Sequence, residues 1–156
     1  MRKKATFKLL AVGAAAALAL SGCTSTSSGG QMMDKLGNPE KTVSLLGWPG
    51  YAEDGSNDPN YDWVTPFEKE TGCQVTFKPY GTSDEAISLF KTGDYDAIAA
   101  SGDATLRLIA AGDVQPLNTS LIPNYAGVYP FLKGRDFNTV DGKTYGVPHG
   151  YGSNLL

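Results

Sequence analysis

Two cysteines and one histidine leave little room for the chemistry that those side chains support. His149 has no Cys, His or Asp partners at ligand spacing, which excludes a zinc-type metal site. No His/Asn or His/Asp set stands out to activate a cysteine nucleophile. No Gly-x-Ser-x-Gly elbow, P-loop or His-Glu-x-x-His is present, and no pair of acids is distinguished by context. Catalysis therefore has no candidate residues, and no cofactor is expected. Nor does any apolar run approach the roughly 20 residues that a membrane-crossing helix needs; Leu9–Leu20 has only twelve residues. Internal repeats are absent. Positive charge is scarce as well. Of 13 basic and 16 acidic residues, four basic ones and no acidic ones precede Cys23, leaving 9 against 16, a net of −7. That balance excludes a nucleic-acid partner, which requires a basic face, and is compatible with a positively charged solute.

What is there begins with a basic start. Arg2, Lys3, Lys4 and Lys8 precede the apolar run, and small residues follow it. These are the three parts of a secretory signal peptide. Leu20-Ser21-Gly22-Cys23 resembles the lipobox of bacterial lipoproteins. In that family the signal is cut before the cysteine, whose thiol carries a lipid. The resemblance implies a signal peptide over 1–22, lipidation of Cys23, and an extracytoplasmic protein held to the cell membrane by its lipid (periplasmic in a Gram-negative cell). Residues 23–40 are polar, small and without period, and read as a flexible tether. With Cys23 lipidated, Cys73 is left without a disulfide partner. In "TGCQVTF" it reads as a small core residue at the start of a buried strand.

From Lys41 onward strands and helices alternate. "KTVSLLGW" reads as a strand. "YDWVTPFEKETG" predicts a helix beginning near Val64 or Thr65 and stopped by Gly72, with Trp63, Val64 and Phe67 on its core face and Glu68 and Glu70 in solvent. "CQVTFKPY" is a second strand. "TSDEAISLFKTG" is a helix capped by Thr82 or Ser83 and stopped by Gly93. "YDAIAAS" is a third strand and "DATLRLIAAGD" a third helix, stopped by Gly112. "NTSLIPNYAGVYPFLKG" reads as irregular with short helices, and "FNTVDGKTYGVP" as a hairpin turning at Asp141-Gly142. The alternation predicts an α/β lobe, with a mainly parallel sheet flanked by helices. The closing "YGVPHGYGSNLL" is β-like and apolar at its end, which suggests a missing second part.

Five motifs in order carry a family resemblance: Trp48 with Tyr51, Phe67 to Val75, Tyr95 to Ser101, Gly112 to Leu117, and Tyr145 to Pro148. Together they resemble the N-terminal lobe of the extracellular solute-binding proteins of ABC importers, in the spermidine/putrescine-binding branch. The resemblance covers nearly all of 41–156. It implies the first lobe of a periplasmic-binding-protein-like (type II) fold, ending at the hinge crossover and truncated before the second lobe. It also implies capture of a polyamine or similar small organic solute, trapped between two lobes and delivered to an ABC permease in the membrane. A sensor domain presenting solute to a signalling partner, and an anchored hydrolase, are the alternatives from other classes.

Ligands of open α/β sheets bind outside the carboxyl ends of the strands, and two stretches fall there. In "GWPGY", Trp48 and Tyr51 could hold an alkyl-ammonium by cation–π attraction, ~0.5–2 kcal/mol per contact, or could pack on the following helix. The resemblance matches both to ligand-contacting positions. In "ASGDAT", Ser101 and Asp103 read locally as helix caps. The resemblance matches Ser101 to a ligand-contacting serine, and Asp103 could supply a carboxylate to an amine. Where polyamine binders carry aromatics after that serine, this chain has Gly102-Asp103-Ala104. Tyr80 is a weaker candidate at a strand end. His149 reads as structural or as part of the cleft mouth.

Overall fold

The computed structural model describes residues 30–38 and 40–152. Residues 1–22 and Cys23, read above as signal and anchor, lie outside the described residues. Three strands, β1 (Thr42–Gly47), β2 (Gln74–Pro79) and β3 (Ala97–Ile98), form a parallel sheet in the order β2-β1-β3. Helices α1 (Val64–Thr71), α2 (Ser83–Phe90) and α3 (Gly102–Ala111) alternate with them. Three short 3₁₀ turns follow between Thr119 and Leu132, then the hairpin β4 (Thr139–Val140) and β5 (Lys143–Thr144). The expected α/β lobe is thus present.

Local chemistry sets the element ends. Gly72 and Gly112 close α1 and α3 in the left-handed region, where a Cβ would be strained. Thr82 caps α2 by accepting the Glu85 N–H at 3.2 Å. Asp141 and Gly142 both have positive φ, 50° and 73°, as a type I′ hairpin turn requires.

The strands alternate their side chains between two faces. Leu45 pairs with Phe77 and Ala97, while Leu46 pairs with Lys78 and Ile98. On the Leu46 face, Leu46, Tyr80 and Ala86 form one core cluster, and Ile87, Ala104 and Leu108 another; Ile98 and Phe90 touch both. Helices α2 and α3 cover this face. On the opposite face Leu45 and Phe77 line a cavity together with Trp63, at the entrance of α1. Gly47 is required here, because a Cβ would lie 2.8 Å from the Phe77 ring.

Three expectations need correction. Trp63 and Phe67 are exposed rather than core; of α1's residues only Val64 is buried. Trp63 is the N-cap residue, one before the first helical residue Val64, and Asp62 behind it accepts the Thr65 N–H at 2.9 Å. Trp63 therefore stands at the helix entrance, outside the amphipathic stripe. Glu68 is not a free solvent-facing acid: it accepts the Val75 N–H at 2.8 Å and ties α1 to β2. The third strand is shorter than "YDAIAAS", since Tyr95 turns into the core cluster and Ser101 already heads α3. Cys73 is half-buried with a free thiol, just before β2, and its N–H is held by Thr71 Oγ1.

Candidate functional site

The chain leaves β1 toward β2 and then crosses back to β3 on the other side. The direction of winding reverses between β1 and β3, and a crevice opens at their carboxyl ends. Both predicted stretches lie there.

"WPGY" folds as its residues dictate. Pro49 sets φ at the first corner, and Gly50 takes φ 84° at the second. The Tyr51 N–H closes the turn on the Trp48 carbonyl at 3.1 Å; this is a type II turn. It sends the two rings to different places. Trp48 is half-buried, packed on Tyr80 at 4.5 Å between centroids and against the core. Tyr51 is 39% exposed and faces a cavity of about 400 Å³. Trp63, Phe77, Phe137, Tyr145 and His149 also line this cavity. The imidazole of His149 stacks on Tyr51, centroids 4.5 Å apart and planes 20° apart. No Asp, Glu, Lys or Arg is among the described lining residues.

The second stretch supplies polar groups. Ser101 is the N-cap residue of α3, but its hydroxyl makes no capping bond. It donates to Asp103 Oδ1 at 2.6 Å instead, and lies 3.0 Å from Ser83 Oγ. With the Ser101 proton committed to Asp103, Ser83 is the donor of that pair. The local expectation that Ser101 caps the helix through its side chain is therefore not met. Ser101's bond, with lesser help from backbone N–H groups and Arg107, holds the Asp103 carboxyl below its ordinary range. Gly102 lies between these residues and lines the cavity; a Cβ there would sit 3.0 Å from Phe137 Cβ.

Tyr80 is 3% exposed and donates its hydroxyl to the Ala99 carbonyl, bridging β2 to the end of β3. Burial first, then the nearby Tyr51 and Asp103, pushes its phenol up to about 12. The raised value favours the protonated, folded form. Its contribution to stability is therefore full below the free phenol's value of about 10, and is lost as pH rises through about 12. Chemical denaturation across pH 9–12 should show a fall in stability that Tyr80→Phe flattens.

Sequence reasoning missed Ser83 and Trp63 as site-facing residues. Ser83 was legible as a helix start at a strand's carboxyl end, once Thr82 takes the cap. Trp63 was hidden because a helical wheel assigns it to the buried stripe. Among the described residues no group of His, Cys, Asp and Glu could hold a metal ion, and no helix is long and apolar enough to cross a membrane.

The parallel lobe carries an aromatic cavity and a hydroxyl–carboxylate chain at its switch point. The chain belongs to the bacterial extracellular solute-binding proteins, whose family model matches residues 62–156. That family binds solutes and is not one of enzymes. Two relatives are polyamine binders by name. The putrescine/agmatine-binding protein of Pseudomonas aeruginosa is 26% identical over 135 residues, covering 82% of this chain and 34% of that protein. The putrescine-binding periplasmic protein of Escherichia coli is 27% identical over 99 residues, covering 62% and 25%. A structure described as a spermidine/putrescine ABC transporter protein of Listeria monocytogenes shares the fold. Its TM-score is 0.54 at 23% identity, over 63% of this chain and 29% of that one. The chain thus spans about a third or less of the length of these relatives.

Proposed function

We propose that this lobe belongs to the lipid-anchored, extracytoplasmic substrate-binding component of an ABC importer, and that it captures a polyamine or a similar small organic amine for a membrane permease. The observation that carries the proposal is the pairing, at one switch point, of an aromatic cavity whose described lining holds no Asp, Glu, Lys or Arg with the Asp103 carboxylate, one residue along the chain from the lining Gly102. An alkyl amine needs both. Its methylenes lose little in an apolar, aromatic cavity. Its ammonium gains from the open face of Tyr51 and from a carboxylate that stays ionised at neutral pH. Trp48 acts from behind, by fixing Tyr80 and the end of β3. Ser101 positions Asp103, and Ser83 positions Ser101. The names of the polyamine-binding relatives support the same solute class.

The mechanism is capture without chemistry. Solute bound on this lobe would favour closure of a second lobe by its differential affinity for the closed form. Closure would present the surface that docks on a permease, with transport driven by a separate ATPase. The anchor is proposed on the lipobox alone: metabolic palmitate labelling should disappear in Cys23→Ser, and labelling that persisted would remove it from the account. For the site, Tyr51→Ala should weaken putrescine binding by ~2- to 30-fold, the range of one cation–π contact. Unchanged affinity in equilibrium titrations would count against it.

A further inference from the structure

Two of the rings that line the cavity are seated on glycines. Phe77, on β2, lies against β1 at Gly47, where a Cβ would be 2.8 Å from its Cε2. Phe137, on the approach to β4, lies against the first residue of α3, where a Cβ on Gly102 would be 3.0 Å from its Cβ and 3.2 Å from its Cγ. Among the described glycines these are the two at which a Cβ would meet an aromatic ring, and both rings line the same cavity. Each is also fixed through its backbone. Phe77 is held in the β1–β2 ladder. Asn138, next to Phe137, is buried, and its carbonyl accepts the Tyr145 N–H at 2.8 Å. The wall still leaves aromatic surface uncovered: Phe137 is 41% exposed, and Trp63, on the same cavity, is 51% exposed.

We infer that the solute carries a planar aromatic ring beside its ammonium, and that Phe137 is one of the rings that receive it. The inference rests on the amine reading above and narrows it from alkyl polyamines to arylalkyl amines. Volume points the same way. A cavity of about 400 Å³ is in the range that encloses drug-sized ligands, and a short diamine covers little of such a wall. Aromatic rings attract one another through their faces and edges, over and above the area they bury. Rings already seated on backbone lose little freedom on binding, so more of that contact appears as affinity. A solute ring uses this wall fully; a bare methylene chain gains from burial alone.

Titration calorimetry of phenethylamine, n-butylamine and putrescine into the complete gene product tests this. The first two are primary amines with the same single charge at neutral pH, so comparing them isolates the ring. Phenethylamine should bind ~10- to 100-fold tighter than n-butylamine, since burial contributes up to ~fourfold per added carbon and ring contact adds to it. It should also bind tighter than putrescine. Phe137→Ala and Phe137→Leu both remove the receiving ring, and in either the ratio of phenethylamine to n-butylamine affinity should fall ~2- to 10-fold. Circular dichroism identifies a variant that has unfolded, and Phe137→Leu keeps apolar bulk where Phe137→Ala fails to fold. If n-butylamine or putrescine bound as tightly as phenethylamine, the arylalkyl class would be overturned. An unchanged ratio in a folded variant would overturn the role of Phe137. Wild type that bound none of the three amines would overturn the amine reading, and this inference with it.

Discussion

Trp48→Ala is expected to damage both the fold and the capture of solute. The ring of Trp48 is half-buried against Tyr80, and Tyr80 is the buried post whose hydroxyl holds the end of β3. Truncation removes a large apolar side chain from one edge of the core. For fully buried aromatics that costs ~3–5 kcal/mol, and half-burial places this case at about 2–3 kcal/mol. Tyr80 would then lose its lateral support, and with it the placement of Ala99 and of the Ser101–Asp103 chain. Amine affinity should fall further than in Tyr51→Ala, although Trp48 does not line the cavity. Trp48→Phe should recover most of the stability. Urea denaturation and putrescine titration on the same variants check the two effects separately; a stable Trp48→Ala with unchanged affinity would refute the supporting role.

Leu46→Ala is expected to have the largest effect on stability. Leu46 is 1% exposed in the central strand, and touches both Tyr80 and Ala86. The core around it is small. Among the described residues the buried apolar side chains are Leu46, Val64, Tyr80, Ala86, Ile87, Ala104 and Leu108, and two of these seven are alanines. A core of this size cannot collapse around a missing isobutyl group without moving α2. Loss of ~2–5 kcal/mol is expected, against a total of ~5–15 kcal/mol for an ordinary domain. A urea midpoint displaced by that amount, or a chain that no longer melts cooperatively, is the predicted result. Leu46→Val should cost less than half as much.

The parts of the fold that were legible in the sequence are those that neighbouring residues settle between themselves. Trp48-Pro49-Gly50-Tyr51 contains its own turn, because proline fixes one corner and glycine permits the other. Asp141-Gly142 does the same for the hairpin, and Gly72 and Gly112 end their helices without help. The parallel order followed from strand–helix alternation. What was not legible depends on distant partners. Glu68 looks solvated along its helix, and only the arrival of β2 gives it the Val75 N–H. Ser101 looks like a cap until α2 brings Ser83 to it, from 18 positions earlier in the chain. Trp63 has the spacing of a core residue, but it is the N-cap residue, one before the first helical residue Val64, and its ring stands at the cavity. His149 meets Tyr51 across nearly the whole lobe, a contact that no local pattern encodes. The candidate stretches were therefore found from the strand ends, while the division between cavity wall, supporting ring and positioned carboxylate required the packed structure.

The measurement that tests the account most directly is isothermal titration calorimetry of putrescine into the complete gene product at pH 8, repeated with the double variant Tyr51→Ala/Asp103→Asn. The account predicts saturable binding at one site per chain in the wild type, and its loss in a double variant that still melts cooperatively. No binding in the wild type, or undiminished binding in the folded double variant, would contradict an amine site at the carboxyl ends of β1 and β3.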